Sequence, residues 1–123
     1  MRSAKIESGR ADFALSEVKR VIGINNAKLK EYKSYCRKFP SMVQTNGLAA
    51  SIAFLVDKGG TYKYLSEHIS GWLKKCLLLP EGVSLETYIC GLETAQYRIV
   101  TKEVLALFNW LRRFASGLIE GEA

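Results

Sequence analysis

Proline, histidine and cysteine are scarce in this chain of 123 residues, which has two, one and three of them, respectively. A single histidine excludes a metal site built from histidines alone, and Cys36, Cys76 and Cys90 lie too far apart for the short spacings of zinc-binding or redox pairs. No apolar run approaches the roughly 18 residues that a membrane span requires. The first residues lack the apolar core of a secretion signal, so we expect a cytoplasmic protein with reduced thiols.

Residue patterns typical of catalysis are scarce as well. His68 follows Ser66 and Glu67 directly, but neighbouring residues of a helix point in different directions, so these three do not form a nucleophilic triad by themselves. Gly59-Gly60 lacks the strand–loop–helix context of a phosphate-binding loop. No cluster of carboxylates replaces the missing histidines as metal ligands. We therefore expect a protein that is not an enzyme and that has no metal and no cofactor.

The net charge of +6 is unevenly distributed along the chain. Residues 1–38 hold ten basic and four acidic side chains, whereas residues 39–123 hold eight of each. A localised positive charge suits a polyanion such as a nucleic acid. It also suits a solvated helix face that keeps the protein soluble, and the charge alone does not decide between the two.

Apolar residues recur at steps of three and four, which is the spacing of amphipathic helices. The apolar fraction of 48% and the length of 123 residues suit one core. We therefore predict an all-α protein, a single compact bundle of about five to seven helices over residues 1–123, with residues 1–9 and 117–123 frayed. The predicted helices cover residues 5–22, 25–38, 41–58, 84–90 and 93–116, and a further helix begins after Thr61 and stops at Pro80.

Two turn signals set the predicted boundaries near the middle of the chain. Pro40 suits the start of a helix, where its missing N–H needs no partner, and Ser41 with Gln44 three residues later matches a capping box. Asn46-Gly47 has no strands beside it, so we interpret Gly47 as a glycine inside a helix. Asn46 is then a buried side chain that bonds to the backbone.

The segment 48–56, LAASIAFLV, is apolar on almost every side. Helices of this kind are normally buried on all sides, so we expect this one at the centre of the bundle. On this expectation Ala53→Asp prevents folding, because a buried charge without a partner loses its hydration. Gly59-Gly60 ends the helix, and Ser84 caps the short fifth helix.

The segment 93–116 has the clearest helical periodicity. At about 100° per residue, one side of this helix collects the apolar seam Tyr97, Val100, Val104, Leu107, Leu111, Phe114 and Leu118. The opposite side is basic, and Leu105 interrupts it without an apolar neighbour. A single exposed leucine usually has no function. The alternative is a contact between copies of the chain, in which case Leu105→Glu spares the fold but impairs stacking.

Two pairs of segments carry a resemblance to a known family. The first pair is 39–48, FPSMVQTNGL, leading to 53–58, AFLVDK, and the second is 97–105, YRIVTKEVL, leading to 110–115, WLRRFA. With the chain length and the basic opening helices, they resemble the small subunit of the type III-B (Cmr) CRISPR effector complex over about residues 10–116.

This resemblance implies a non-catalytic structural subunit that is a monomer in isolation and stacks in several copies into a filament inside a ribonucleoprotein. The filament helps line the groove in which guide RNA pairs with target RNA in antiviral defence. The implied partners are the backbone and large subunits of the complex, further copies of the chain, and the guide and target RNA, with no membrane.

A subunit beside such a duplex reads backbone charge rather than bases, because base pairing supplies the specificity. We therefore predict RNA contacts from lysines and arginines on rigid helices. The candidates are Arg10, Lys19, Arg20, Lys30, Lys33 and Arg37 on the first two helices, and Arg98, Lys102 and Arg113 on the last. The motif residue Glu103 is expected to pair with Arg98, with Lys102 or with a neighbouring helix.

Two other classes of function stay open at this point. One is a helical protein–protein interaction module with no nucleic-acid role, for which the charge serves solubility only. The other is a small hydrolase that uses His68. Salt-dependent RNA binding distinguishes the favoured interpretation from the first alternative, and loss of activity on changing His68 would identify the second.

Overall fold

The computed structural model describes the backbone of residues 2–121 and the side chains of Glu7 and of residues 9–121. Residues 2–121 form six helices and no strand, which confirms the all-α prediction and the expected number of helices. In chain order the helices are α1 (Arg2–Ile22), α2 (Leu29–Asn46), α3 (Leu48–Lys58), α4 (Tyr62–Lys75), α5 (Leu85–Cys90) and α6 (Thr94–Leu118). Fraying of residues 1–9 and 117–123 stays a prediction, and residues 1, 122 and 123 lie outside the described residues.

The long helix α6 holds the bundle together, since α1 and α2 both make their most extensive contacts with it. The predicted apolar seam of α6 is buried from Val100 to Leu111, with Val104, Leu107 and Leu111 each no more than 1% exposed, but Leu118 at its end is 46% exposed. Phe39 of α2 meets Phe108 of α6 with ring centroids 4.7 Å apart. A long helix with a continuous apolar stripe must bury it against other elements, and this requirement gives α6 its central place.

The prediction that residues 48–56 form the buried centre is wrong. Leu48, Ile52 and Leu55 of α3 are buried, but Ala53 is exposed and Val56 is 54% exposed. Alanine has little apolar surface to bury, so a helix rich in alanine can expose one face at small cost. This removes the basis for the predicted failure of Ala53→Asp to fold, because a charge at this exposed position keeps its hydration.

The break between α2 and α3 lies at Gly47, not at Pro40 as predicted. Pro40 lies inside α2, and the capping box expected at Ser41 is therefore wrong as well. The proline removes one backbone hydrogen bond from the helix, but Phe39 and Val43 beside it are buried in the core and offset the loss. Gly47 has φ 88° and ψ 160°, a conformation that strongly favours glycine.

Hydrogen bonds from both sides hold the chain at Gly47. The carbonyl oxygen of Gly47 accepts the Ser51 hydroxyl at 2.8 Å, and the Ala49 N–H donates to the Tyr97 hydroxyl of α6 at 2.8 Å. Asn46, which was expected to be buried, is exposed as the last residue of α2. The Asn-Gly step therefore acts as a helix boundary, which is its more usual role in a chain.

Two other predicted helix ends are confirmed. Gly59 and Gly60 follow α3 with left-handed φ values of 59° and 56°, and the Ser84 hydroxyl accepts the backbone N–H of the third residue after it at 3.3 Å. Thr61 precedes α4 without a side-chain cap, and its hydroxyl instead donates to Glu31 of α2 at 2.9 Å.

Candidate nucleic-acid interface

A groove lined by basic residues lies between α2 and α6. The Lys33 ammonium near the start of α2 reaches the carbonyl oxygen of Ile119 after α6, and Tyr97 near the start of α6 bonds to Ala49 just after α2, so the two helices run antiparallel. The groove between them has a volume of about 460 Å³. We call it the basic groove, and its lining residues are Lys33, Arg37, Arg112, Arg113, Ser116 and Gly117.

The basic groove joins two sets of candidates that are far apart in sequence. Lys33 and Arg37 come from the second predicted helix and Arg113 from the last one. Arg112 was not among the candidates, although its place on the basic side of the last helix was a signal for it. None of the six lining residues is acidic, so the groove concentrates positive potential where a polyanion would lie.

The four cations of the groove differ in what they already bind. The half-buried Lys33 donates to the carbonyl oxygen of Ile119 at 2.9 Å and also to that of Gly121. It thereby satisfies acceptors beyond the C-terminal end of α6, where a cation is favoured. Arg112 donates to its neighbour Asn109 at 3.1 Å. The side chains of Arg37 and Arg113 are exposed, and Arg37 also has an interaction of its own.

A second groove, whose lining residues apart from Arg112 are uncharged, continues from the basic one. It has a volume of about 420 Å³, it shares Arg112 with the basic groove, and its other lining residues are Pro40, Gln44, Leu105, Ala106 and Asn109. The interpretation of Leu105 as a leucine without apolar neighbours is wrong, because it is half-buried and packs against the core. We call this surface the neutral extension.

The three candidates on α1 lie apart from the basic groove. Arg10 has a side chain only 12% exposed and donates to Glu103 at 2.9 and 3.2 Å and to Glu7 at 2.6 Å. This confirms that Glu103 pairs with a neighbouring helix. Arg20 donates to Glu17 and to Glu67 at 3.1 Å each, and the hydrogen bond to Glu17 raises the pKa of Arg20. Lys19 is exposed.

The remaining candidates also fall outside the basic groove. Arg98 and Lys102 are exposed one turn apart on α6. Lys102 precedes Arg113 by eleven positions, and at 1.5 Å per residue this separates the two by about 16 Å along the helix. Lys30 is exposed one turn before Lys33. Its side chain lies beside Gly121, and a Cβ atom added to this glycine would be 2.8 Å from the Lys30 Cε atom.

His68 lies in the core rather than in a groove. It is fully buried, its Nε2 accepts the Tyr32 hydroxyl at 2.7 Å and its Nδ1–H donates to Glu17 at 2.9 Å. Burial lowers the pKa of His68. Burial also raises the pKa of the Cys36 thiol to about 12. Both groups are therefore neutral and enclosed, as expected of side chains that serve packing.

The described residues offer neither a metal site nor a helix that spans a membrane. Among the side chains that the structure describes, no three histidine, cysteine, aspartate or glutamate residues gather in a way that could hold a metal ion. Across the described part of the chain, every helix is too short or too polar to cross a lipid bilayer.

The comparisons with known proteins agree with one another. A sequence model of the family described as "CRISPR-associated protein (Cas_Cmr5)" matches residues 6–118. The chain is 32% identical over 90 residues to "CRISPR system Cmr subunit Cmr5" of Thermus thermophilus, a match that covers 73% of this chain and 76% of that protein.

A solved structure is similar as well. It is the X-ray crystal structure of a CRISPR-associated Cmr5 family protein, also from Thermus thermophilus, with a TM-score of 0.78 and 27% sequence identity over 93% of this chain and 97% of that one. The family match over nearly the whole length, the relative and the shared helical fold thus confirm the resemblance that the two pairs of sequence segments carry. The chain belongs to the Cmr5 family of CRISPR-associated proteins.

Proposed function

We propose that this chain is a non-catalytic small structural subunit of a type III-B (Cmr) ribonucleoprotein in antiviral defence, and that its basic groove binds the phosphate backbone of RNA in that complex. A relative is named as a subunit of the Cmr system. The observation that carries the RNA part is the convergence of Lys33 and Arg37 of α2 with Arg112 and Arg113 of α6 in one groove.

The chemistry of the basic groove suits phosphates rather than bases. Its lining residues include four cations and no aromatic ring on which a base could stack. Contacts of lysine and arginine with phosphates position a protein on RNA without reading its sequence. We therefore expect binding that depends on salt but little on sequence, as befits a subunit of a complex in which base pairing selects the target.

The non-catalytic part of the proposal is supported by the state of His68. Both of its ring nitrogens are bonded, to Tyr32 and to Glu17, and its side chain is fully buried. A histidine in this position has no free nitrogen with which to take a proton from a substrate, so the hydrolase alternative loses its best candidate residue.

We include in the proposal that copies of the chain stack head to tail. The outer face of α6 is basic, and Glu81 and Glu86 are exposed around the start of α5, so one copy can offer carboxylates to the cations of the next. Head-to-tail contacts give an open filament when their rotation does not close. The double charge reversal Glu81→Lys/Glu86→Lys is then expected to lower the number of copies per complex, measured by native mass spectrometry. An unchanged number would exclude these carboxylates from the contact.

The groove itself is tested by reversing its two exposed arginines, Arg37→Glu/Arg113→Glu. Lys33 is kept because it holds the chain end in place. RNA affinity is expected to fall, and the slope of log Kobs against log salt to become less steep by about 0.7 to 0.9 for each phosphate that the variant no longer neutralises. The matched control Lys28→Glu/Lys63→Glu makes the same change of net charge at exposed positions that lie outside the groove and are not among the predicted RNA contacts.

The measurement is fluorescence anisotropy with labelled RNA at several salt concentrations, together with the melting temperature of each variant. Exposed charges contribute little to folding, so all variants are expected to melt close to the wild type. An equal loss of affinity in both double variants would show that net charge alone is responsible. Unchanged binding by the groove variant would show that RNA binds elsewhere, and Arg98 and Lys102 would be tested next. RNA binding that is absent or independent of salt would favour a protein–protein interaction module.

A further inference from the structure

Leu77 adopts a backbone conformation that leucine normally avoids. It follows α4 with φ 62°, in the left-handed region. The Leu78 N–H donates to the Leu73 carbonyl oxygen at 2.8 Å and the Leu77 N–H to that of Lys74 at 3.0 Å. These two bonds define a Schellman helix end, in which the position of Leu77 is normally occupied by glycine. A leucine there is strained because its Cβ atom crowds the backbone.

The side chain of Leu77 is not buried in the core, so it adds no packing that would offset this strain. It is 91% exposed, far more than the other exposed large apolar side chains, Val56, Ile99 and Leu118. The apolar contact that usually accompanies this type of helix end is supplied by the next residue, Leu78, which is half-buried against the core. Glycine would relieve the strain and remove the exposed apolar surface, so the folded chain by itself does not account for leucine at this position.

A second exposed apolar residue, Ile99, lies on α6, the helix that the end of α4 contacts. Trp72 in the last turns of α4 donates to Glu103 of α6 at 2.9 Å, and Cys76, whose thiol pKa is raised first by burial and then by Glu103, follows α4 directly. The end of α4 therefore lies against α6 at Glu103. Leu77 comes directly after Cys76, and Ile99, which is 55% exposed, precedes Glu103 by one turn.

The charges around these two apolar residues are mostly positive. Lys74 and Lys75 occupy the last turn of α4, and Arg98 and Lys102 flank Ile99 on α6. All four are exposed, and Glu81 in the following loop is the exposed carboxylate nearest to Leu77 in sequence. An apolar centre with cations around it is complementary to an apolar pocket with carboxylates around it.

We propose that Leu77 is the central contact of a docking surface for another protein chain, one that offers an apolar pocket rimmed by carboxylates. RNA does not match, because a phosphate backbone gives an exposed leucine no apolar surface to bury. A second copy of this chain does not match either. The basic groove repels the cations beside Leu77, and the neutral extension has no carboxylate. No large apolar side chain other than Leu77 itself is exposed among the described residues around Glu81 and Glu86, the carboxylates proposed for stacking. The occupant is therefore a different subunit of the complex to which this family belongs.

The first test compares how substitutions of Leu77 affect the stability of the chain and its assembly into the complex. Leu77→Gly is expected to raise the melting temperature by a few degrees, because it removes the strain. Leu77→Asn keeps a residue that tolerates the left-handed conformation but makes it polar. Both are expected to compete about tenfold to hundredfold less well than wild type for incorporation into the reconstituted complex, the loss that corresponds to one leucine kept out of an apolar pocket. Leu118→Asn is the matched control at another exposed leucine, which is 46% exposed, and is expected to compete like the wild type.

The second test identifies the occupant. A photo-cross-linking amino acid at position 77, in the assembled complex, is expected to join this chain to a different subunit, at a segment in which mass spectrometry finds acidic residues beside apolar ones. Cross-linking to RNA or to a second copy would overturn the proposal, as would wild-type incorporation of Leu77→Asn or a lowered melting temperature of Leu77→Gly. RNA binding by isolated Leu77→Asn is expected to equal that of the wild type, which keeps this proposal separate from that for the basic groove.

Discussion

Removing one oxygen atom from the core, in Tyr32→Phe, tests whether the hydrogen bonds of His68 stabilise the fold. The Tyr32 hydroxyl donates to Nε2 of His68 at 2.7 Å, and neither residue has any exposed surface. Phenylalanine fits the same space but leaves Nε2 as a buried acceptor without a partner. Such a group costs about 1–3 kcal/mol. For a chain of this length, we expect a melting temperature lower by about 4–12 °C.

Urea unfolding at pH 7 measures the effect. The midpoint is expected to shift while the slope m stays constant, because the variant changes the stability of the native state and not the surface exposed on unfolding. Tyr88→Phe on α5 is the control, since Tyr88 is a half-buried tyrosine outside this hydrogen-bonded group. It is expected to stay within about 0.5 kcal/mol of the wild type.

A double-mutant cycle separates the hydrogen bond from the packing of the two rings. With His68→Leu as the second change, the coupling free energy between Tyr32 and His68 is expected to be at least about 0.5 kcal/mol, since residues in one hydrogen-bonded network do not add independently. A coupling near zero, or a Tyr32→Phe variant as stable as the Tyr88→Phe control, would refute the reasoning. The two side chains would then contribute through burial alone.

Three further predictions concern stability. The hydrogen bond from His68 lowers the pKa of Glu17 to about 2. The ionised Glu17 carboxylate therefore stabilises the fold above about pH 4.5, and this stabilisation is lost as the pH falls towards 2. Glu17→Gln is expected to flatten this part of the curve of unfolding free energy against pH. Gly47→Ala is expected to cost about 1–2 kcal/mol in urea unfolding because of its φ of 88°, whereas Gly117→Ala inside α6, with open space around it, is expected to stabilise by about 0.5–1 kcal/mol. Lys33→Met is expected to cost about 0.5–1.5 kcal/mol and to speed amide hydrogen exchange at the end of α6, because two carbonyl oxygens lose their donor.

The predicted cost of Lys33→Met changes an expectation drawn from the sequence. The helical periodicity alone places Lys30, Lys33 and Arg37 on one solvated face of the helix. Replacing all three with glutamate is then expected to leave the thermal stability nearly unchanged. The structure separates them, since Lys33 is half-buried with two backbone acceptors while Lys30 and Arg37 are exposed. We therefore expect the triple reversal to destabilise the fold, and the exposed pair Arg37 and Arg113 gives the cleaner test of RNA binding.

Much of the fold could be predicted from the chain because amphipathic helices follow local rules. The seam of α6 from Val100 to Leu111, the cap at Ser84 and the end of α3 at Gly59-Gly60 each depend on a few neighbouring residues, and each is confirmed. The break near the middle of the chain could not be placed in this way. Pro40 and Gly47 are both able to interrupt a helix, and the packing of Phe39 and Val43 against the core decides in favour of Gly47.

The candidate site depended on the tertiary structure to a greater degree. The sequence by itself determined the all-α class, the family and the basic sides of α2 and α6, because side-chain spacing and residue type are local properties. Only the tertiary structure decided that Arg10 is held by Glu103 and that Arg37 and Arg113 share one groove. A charge has the same local pattern whether it is solvated or paired. Its role is set by whichever helix packs beside it, and that neighbour here comes from a distant part of the chain.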